Sequence, residues 1–350
     1  MQLSILELGR VREGGDRRTA LDEARQLAQH AEAWGYRRFW IAEHHNAPTV
    51  ATAATAVVIA HVAAGTRTIR VGAGGVMLPN HAPYVIAEQF GTLETLFPGR
   101  IDLGLGRAPG TDQFTLRALR RDAANAEHFP DDVRELQAFL APVQAGQRIE
   151  AVPGSGTNVP LWILGSSLFG AQLAAELGLP FGFASHFAPQ LLDTALKLYR
   201  QRFRPSAQLR TPYAVVGVNV IAATDDNEAR MLATSQQMSF TDMVRGTRRL
   251  IQPPIADIDT YWSGPEKLHV TQMLACSIVG GPETIRTGLR DLVARTQADE
   301  LMVVSDQFDH ALRLRSFEII AAAAGIGLAP AATPSVDTAR PPEAVLPAAP

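Results

Sequence analysis

Short apolar runs alternate with longer amphipathic stretches along most of the chain. The first apolar run, LSILEL, is followed by TALDEARQLAQHAEAWG, in which apolar residues recur at helical spacing from Leu21 to Trp34. Thr19 suits the start of this helix, and Gly35 suits its end. The pattern predicts a strand followed by a helix, and the same pair of elements recurs along the chain.

Eight such strand–helix units can be identified. The predicted strands lie at residues 3–8, 37–44, 69–78, 101–108, 161–167, 181–187, 213–224 and 300–306. A mostly helical insertion at residues 225–275 follows the seventh strand. Eight units in one chain predict a single α/β domain, a (β/α)8 TIM barrel over residues 1–327; the alternative is an open, doubly wound sheet. Residues 328–350 are mostly Ala, Pro and other small residues, and we expect this tail to be disordered.

Composition narrows the class of protein. The chain has 350 residues, of which 46% are hydrophobic and 19% charged, and its formal net charge is -3. This balance is typical of a globular protein and argues against nucleic-acid binding. A single cysteine, Cys276, excludes an intramolecular disulfide. The sequence shows neither a secretory signal nor a long apolar span, so we expect a cytoplasmic protein without a membrane partner.

In a (β/α)8 barrel the reactive groups lie at the C-terminal ends of the strands. The second predicted strand ends in Glu43-His44-His45. Because neighbouring side chains on a strand point to opposite faces, His44 and His45 are poor joint ligands for one ion, and we expect no metal site. One histidine is expected to face the barrel mouth as a proton donor or acceptor. The alternative is that both are hydrogen-bonded structural residues.

Glycines mark the next two strands. The third, VGAGGVML, contains Gly72, Gly74 and Gly75. Glycine weakens a strand interior, so three together indicate either a bulge or a place where bare backbone approaches a flat ligand. The fourth strand ends in GLGRAPG, with Gly106 and Arg107 at the predicted mouth. Its glycine spacing does not match the dinucleotide fingerprint GxGxxG, so a Rossmann nucleotide site is not predicted.

A phosphate site is predicted between the ends of the fourth and fifth strands. Arg107 can bind a phosphate through its planar guanidinium group. Gly165, Ser166 and Ser167 end the fifth strand directly before a helix, whose free N–H groups and serine hydroxyls attract anions. The alternatives are a surface ion pair for Arg107 and simple helix capping by the serines.

Several segments carry a family resemblance. They are EHHN, VGAGGVMLPNHAP, AEQFGTLETLFPGRIDLGLGRAPGTD, LGSS, ASHFAP and DELMVVSD. In this order and spacing they resemble the bacterial luciferase-like flavin monooxygenases over about residues 2–325. The resemblance is closer to a subgroup of uncharacterised or biosynthetic luciferase-like oxidoreductases than to true luciferase.

This resemblance implies a (β/α)8 barrel that binds FMN, reduced by a separate NAD(P)H:flavin reductase. It implies that O2 is activated as a flavin peroxide, which oxygenates an aldehyde, a ketone or an aromatic small molecule. His44 corresponds to the family's essential histidine, and Gly74-Gly75 to its non-prolyl cis peptide behind the flavin ring. The expected cofactor-binding residues are Glu43, Gly74, Gly75, Gly106, Arg107, Gly165, Ser166 and Ser167. A homodimer is also expected.

The chain departs from luciferase at three places. Gly106 stands where luciferase has a reactive cysteine, so light emission from a long-chain aldehyde is not expected. Leu168-Phe169-Gly170 replaces a more polar turn, which predicts weaker phosphate binding. The counterpart of a further phosphate-contacting arginine stays open among Arg117, Arg120, Arg121 and Arg134.

Two alternative functions keep the same fold: an F420-dependent hydride-transfer oxidoreductase and a non-catalytic flavin-binding protein. A phosphosugar isomerase would need a strand-end lysine or glutamate base and a phosphate loop after strands seven and eight, which we do not find. Asn219, Ser305 and Asp306 are expected to cap or rim the mouth, with substrate contact as the alternative. Cys276 is predicted to pack within a helical stretch, TQMLACSIVG, and the insertion to cover the mouth as a lid.

Overall fold

The computed structural model describes residues 1–108 and 112–327. The predicted tail at residues 328–350 lies outside the described residues, as do Pro109 and Gly110 of the GLGRAPG segment. Nine strands are present in the described part: β1 (Leu3–Glu7), β2 (Arg38–Ile41), β3 (Arg70–Met77), β4 (Ile101–Gly106), β5 (Leu161–Gly165), β6 (Phe181–Phe183), β7 (Ala214–Ala222), β8 (Ser277–Gly280) and β9 (Glu300–Val304).

The same part of the chain forms eleven α-helices. They are α1 (Arg17–Ala33), α2 (Thr55–Ala64), α3 (Pro83–Leu96), α4 (Gln113–Ala118), α5 (Phe129–Leu140), α6 (Leu168–Leu177), α7 (Leu192–Arg202), α8 (Asp226–Arg245), α9 (Gly264–Met273), α10 (Pro282–Thr296) and α11 (His310–Ala324). None of these described helices is long and apolar enough to cross a membrane.

Eight of the strands close into a parallel barrel. Its order is β1–β2–β3–β4–β5–β6–β7–β9, and β9 pairs with β1 to complete the ring. The predicted (β/α)8 barrel is therefore confirmed, and the open, doubly wound alternative is wrong because β6–β7 and β9–β1 leave no open edge between the two halves.

The additional strand β8 corrects one prediction. Residues 271–280 read as helical, but α9 ends at Met273 and β8 begins at Ser277. The reason is tertiary: β6 pairs only with the first three residues of β7, and this leaves the edge at residues 219–222 free for β8 to pair in parallel. Cys276 lies directly before β8 rather than in a helix, and it is buried in the main core.

Strand alternation decides which side chains fill the barrel. One face of the strands packs beneath the helices, and the other forms a small interior cluster of Leu6, Trp40, Ala42, Trp162, Val215, Met302 and Val304. The rings of Trp40 and Trp162 meet edge to face, with centroids 5.1 Å apart. These two side chains form a floor across the barrel, below the C-terminal ends of the strands.

Beneath this floor lies a buried ion-pair network, which we call the basal network. Arg38 binds Asp102 at 2.8 Å and Glu300 at 3.0 Å, and Arg70 binds Asp102 at 2.6 Å. Burial alone would lower the pKa of Arg38, but the charges of Asp102 and Glu300 outweigh it and raise that pKa. Since the network sits at the N-terminal ends of the strands, it serves stability rather than chemistry.

Candidate active site

His44 points into the barrel mouth, because it continues the alternation of Trp40 and Ala42, which face the interior. Its Nδ1 is buried and has no hydrogen-bond partner among the described residues. Burial lowers the pKa of His44, and the nearby positive charge of Arg10 lowers it further. The ring is therefore held neutral at neutral pH, which suits a hydrogen-bonding or proton-transferring role.

His186 is a second imidazole at the mouth that the sequence prediction did not include. It follows β6, and its Nδ1 lies so near Gly217 of β7 that a Cβ there would collide with the ring. This Nδ1 is also buried without a partner in the described structure. Burial lowers the pKa of His186 to about 4, assisted by the charge of His44. The glycine in the middle of the apolar run YAVVGVNVIAAT was the available signal.

Asp306 follows β9. Its negative charge acts to raise the pKa of both His44 and His186, against the effect of burial. Its carboxylate is 5% exposed as a residue and approaches Arg10 Nη1 at 4.0 Å. The prediction gave Asp306 a rim role, with substrate contact as the alternative; the structure places it inside the mouth. A carboxylate and an arginine there make the mouth polar on the β1–β9 side.

Asn219 and Ser305 position their neighbours. The Asn219 side-chain amide donates to the backbone carbonyl of His186 and accepts a hydrogen bond from Gln236 Nε2 at 3.0 Å. Ser305 is fully buried, and its carbonyl accepts from Arg313 Nε at 2.8 Å. Asn219 thus fixes the loop that carries His186, and Ser305 ties the end of β9 to α11.

Glu43 points away from His44 and holds the ends of β2 and β3 together. Its carboxylate accepts hydrogen bonds from His45 Nε2 at 2.9 Å, His81 Nε2 at 2.8 Å, Thr55 Oγ1 at 3.3 Å and the Met77 N–H at 3.3 Å. Burial opposes ionisation of this carboxyl group, but the hydrogen bonds from the two histidines outweigh it and lower the pKa of Glu43 to about 2. Glu43 therefore has its lone pairs already engaged.

The same three residues also satisfy the spacing of a metal site. Glu43, His45 and His81 each offer one ligand atom, and these atoms lie within 4.8 Å of one another. Two Nε2–H donors sharing one carboxylate oxygen account for this geometry without an ion. His44 and His45 were the only pair weighed as joint metal ligands from the sequence. His81 was missed because it comes from the segment after β3.

A wall of bare backbone is formed by the glycines of β3, the strand that pairs with β2. The Gly74–Gly75 peptide bond is cis, in agreement with the expectation from the resemblance. A Cβ at position 74 would collide with the side chain of Leu6, and one at position 75 would collide with the carbonyl oxygen of Gly104. The pairing of β3 with β4 shifts register between Ala73 and Val76. A side chain would collide at either position, so both are restricted to glycine and the backbone there is bare.

The predicted phosphate residues come together at one end of this wall. Gly106 of β4 pairs with Leu164 of β5, so the ends of the two strands are neighbours. Arg107 stacks on the ring of Phe169 at 4.2 Å, and in the described part of the chain it has no acidic partner. Phe169, noted above as a departure from a polar turn, therefore supports the guanidinium group.

The N-terminus of α6 faces the same place. Ser167 is its N-cap residue, yet the Ser167 hydroxyl makes no capping hydrogen bond. A Cβ at Gly165 would meet nothing within 4 Å, so space is open beside the strand end. Unused N–H groups, free hydroxyls and an arginine without an acidic partner among the described residues fit the phosphate of a cofactor.

Gly106 leaves little space for a side chain. A Cβ at Gly106 would lie 3.2 Å from the Met77 sulfur, which is closer than most Cβ contacts. Any side chain there would require Met77 to move.

Four arginines were left open above as a further phosphate contact. One of them, Arg134, forms an ion pair with Asp131 at 2.9 Å on its own helix.

The insertion after β7 is tied to three loops of the mouth. Residue 251 forms a bridge with Arg12 after β1. Arg248 donates to the carbonyl of Asn46 at 2.6 Å after β2 and lies 3.3 Å from Asp112 after β4. The segment 246–263, between α8 and α9, thus spans the mouth from β1 to β4.

Comparisons with known proteins agree with this fold. The profile of the family described as luciferase-like monooxygenase matches residues 1–300 of the chain. The chain belongs to the luciferase-like monooxygenases, and the family resemblance seen in the sequence is confirmed.

Its relatives include proteins of the uncharacterised subgroup. The chain is 55% identical over 320 residues to the uncharacterised protein YvbT of Bacillus subtilis, covering 91% of this chain and 95% of that protein. It is 51% identical over 317 residues to a luciferase-like monooxygenase of Escherichia coli, covering 90% and 95%. The crystal structure of apo-MsnO8 is similar at 34% identity with a TM-score of 0.86, covering 93% and 98%.

More distant structures share the fold with different cofactors. The oxygenating component of 3,6-diketocamphane monooxygenase of Pseudomonas putida, in complex with FMN, is 17% identical with a TM-score of 0.66. It covers 92% of this chain and 96% of that one. An F420-dependent secondary alcohol dehydrogenase is 14% identical with a TM-score of 0.64, covering 92% and 98%. At these identities the likeness concerns the fold alone.

Proposed function

We propose that this protein is an FMN-dependent monooxygenase that uses O2 to oxygenate an aldehyde, a ketone or an aromatic small molecule. The observation that carries the proposal is the bare Gly74–Gly75 backbone of β3, which lies between the strand that leads to His44 and the strand that leads to Arg107. A flat ring with a phosphate tail matches this combination of a glycine surface and an anion site.

The flavin, when bound in its reduced form, supplies the activation of O2, and the residues of the chain bind and orient it. Gly74 and Gly75 would support the ring. Arg107, with Gly106, Gly165, Ser166 and Ser167 around it, would hold the phosphate. Glu43 has its carboxylate engaged by His45 and His81, so it acts by positioning β2 and β3.

His44 is the proposed catalytic residue. It is neutral at neutral pH, faces the mouth and has a nitrogen without a partner in the described structure. A neutral imidazole can hydrogen-bond a reacting oxygen or transfer a proton to it. Segment 246–263 would cover the mouth and exclude water during this step.

The partners follow from the same proposal. Reduced FMN would be supplied by a separate NAD(P)H:flavin reductase through transient encounters, and the barrel would act as a homodimer. The family's other cofactor, F420, is the alternative, and the two differ in whether O2 takes part.

An anaerobic titration with reduced FMN, followed by mixing with O2, tests the proposal. We expect saturable binding of FMN and a flavin spectrum after mixing that differs from that of free reduced FMN reacting with O2. Reoxidation identical to that of the free cofactor would contradict the proposal. Binding of F420 in preference to FMN would instead favour the alternative function, hydride transfer without O2.

A further inference from the structure

Three potential metal ligands from two separate segments meet at the ends of β2 and β3. Glu43 and His45 follow β2, and His81 follows the short 3-10 helix Leu78–Asn80 directly after β3. His45 Nε2 lies 2.9 Å and His81 Nε2 lies 2.8 Å from the same oxygen, Glu43 Oε1. All three ligand atoms lie within 4.8 Å of one another, so they converge on one place.

The hydrogen bonds described above are unevenly shared between the two oxygens of Glu43. Oε1 accepts from both imidazoles and from the Met77 N–H, and Oε2 accepts from Thr55 Oγ1. A carboxylate oxygen has two lone pairs, so three donors exceed the capacity of Oε1. One cation bound by Oε1 and both rings would remove this excess, because each Nε2 would then offer a lone pair instead of a proton.

The separations need little adjustment to hold an ion. Zinc binds imidazole nitrogen at about 2.0–2.1 Å and carboxylate oxygen at about 2.0–2.2 Å, which in a tetrahedron places neighbouring ligand atoms roughly 3.3–3.4 Å apart. The distances of 2.9 and 2.8 Å from Glu43 Oε1 to the two nitrogens are about 0.5 Å shorter than this. Small movements of the two rings therefore give the required geometry.

Neighbouring groups hold the carboxylate and leave a path for an ion. Thr55 Oγ1 and the Met77 N–H both donate to Glu43, and outer contacts of this kind orient metal ligands. Glu43 is 2% exposed, whereas the side chains of His45 and His81 are 14% and 26% exposed. The carboxylate thus lies behind two rings that solvent reaches, as an entry path requires.

The ligand types select the class of metal. Mg²⁺ and Ca²⁺ prefer oxygen ligands, whereas imidazole suits zinc, copper, iron and nickel. Two histidines with one glutamate are a known ligand set for Zn²⁺ with a further position left for water. Since side chains alternate along the chain here, the ion would lie on the opposite face from His44, beside the proposed catalytic ring rather than on it.

We propose that Glu43, His45 and His81 form a binding site for one divalent transition-metal ion, with Zn²⁺ as the best fit. Each imidazole stays neutral on binding, with its proton on Nδ1 and its Nε2 lone pair on the metal. The ion would join the segment after β2 to the segment after β3. This site goes beyond the proposed function and does not depend on flavin binding.

The test uses the full-length protein without a histidine tag, freed of metal with a chelator. Zn²⁺ is titrated in competition with a chromophoric zinc chelator, and Co²⁺ is a second probe because its visible absorption reports its ligands and coordination number. His45→Gln and His81→Gln each keep an N–H donor for Glu43 and remove the imidazole ligand. His269→Gln, at an exposed position on α9, is the matched control.

We expect one Zn²⁺ per chain in the wild-type protein and the control, a higher unfolding temperature with Zn²⁺, and no displacement by a large excess of Mg²⁺. Each Gln variant should bind Zn²⁺ at least about tenfold to a hundredfold more weakly and lose this rise in unfolding temperature. Without metal, the variants should unfold at a temperature close to that of the wild-type protein, because the hydrogen bond to Glu43 is kept.

Two results would overturn the site. One is the absence of stoichiometric Zn²⁺ binding by the wild-type protein. The other is equal binding by the wild-type protein and both Gln variants, which would mean an adventitious ion only. The Co²⁺ spectrum of the wild-type protein decides independently of the variants, since a spectrum identical to that of aqueous Co²⁺ would also exclude the site.

Discussion

The imidazole of His186 lies over Gly217, in the space that a side chain at position 217 would occupy. Because position 217 is a glycine, it leaves space for the His186 ring, which comes from the end of the neighbouring strand β6. This contact places a residue that follows β6 at the barrel mouth, in addition to those that follow β2 and β3. The residues of the mouth can each be tested separately.

Replacement of His44 tests its proposed chemical role. His44→Ala should lower O2-dependent turnover by about 10²- to 10⁴-fold while FMN affinity changes little, because the ring serves the reacting oxygen and not the phosphate. Steady-state kinetics and an anaerobic FMN titration measure the two effects. His269→Ala, on the exposed face of α9, should leave both unchanged. Equal losses of binding and turnover would argue against a catalytic role for His44.

The phosphate site predicts a difference between two flavins. Arg107→Ala should weaken FMN binding by about tenfold to a hundredfold and leave riboflavin binding unchanged, since riboflavin has no phosphate. Phe169→Leu should have a smaller effect in the same direction because it removes the ring that supports the guanidinium group. Fluorescence quenching of each flavin provides the measurement, with Arg315→Ala, at an exposed position on α11, as control. A parallel loss of riboflavin binding would place Arg107 elsewhere than at the phosphate.

The glycine wall predicts a steric effect. Gly75→Ala would place a methyl group against the Gly104 carbonyl, which is backbone and cannot move aside. We expect a loss of stability of about 1–3 kcal/mol and loss of flavin binding. Gly264→Ala on α9, where a Cβ meets nothing within 4 Å, is the control. Chemical denaturation and flavin titration of both variants check this, and a Gly75→Ala variant that binds flavin normally would contradict the proposed ring position.

The basal network predicts a large cost for a single change. Asp102→Asn would leave Arg38 and Arg70 without the carboxylate that both now bind. Arg38 would keep Glu300 as its partner while Arg70 would lose its own, so we expect a cost at or below the about 3–5 kcal/mol that breaking a buried ion pair typically has. Urea denaturation measures the loss, and Asp131→Asn at the exposed start of α5 is the matched control. A change below about 1 kcal/mol would show that the network is solvated.

Acidification should destabilise the protein through His186. Its pKa is lowered to about 4 in the folded state from an ordinary value of 6.5, so between these values the unfolded chain binds a proton that the folded chain does not. The stabilising contribution is complete above pH 6.5 and is lost as the pH falls towards 4. Denaturation at pH 7 and pH 5 should therefore show a smaller pH effect in His186→Gln than in the wild-type protein. The same pH effect in both would mean that His186 is not buried as described.

The parts of the site that could be predicted depend on residues close together in the sequence and on the order of the strands along the chain. Strand alternation predicted that His44 faces away from Glu43 and His45, and the hydrogen bond between Glu43 and His45 agrees with this. The Gly74–Gly75 peptide bond is cis, as the resemblance implied. The pairing of β4 with β5 follows from chain order in a barrel, and Arg107 lies against Phe169 at the start of α6; the phosphate site itself stays a prediction.

The parts that were missed depend on contacts between distant segments. His81 reaches Glu43 across 38 residues, and the ring of His186 fits over Gly217 from another strand. Strand β8 forms only because β6 leaves part of the β7 edge unpaired. The local sequence pattern contains no information about an unpaired strand edge elsewhere in the fold. Cys276 was therefore assigned to a helix, whereas it lies directly before β8.

Strand β8 also sets a mechanical constraint on the mouth. It fastens the far end of the insertion to β7, and α8 packs against both strands at the near end. Both anchorages lie on the same strand, and the span 246–263 runs between them, beginning at Gly246 with φ 72. Under the proposed function, this span would be the flap that covers the mouth, held by Arg248, and the rest of the insertion would be its frame.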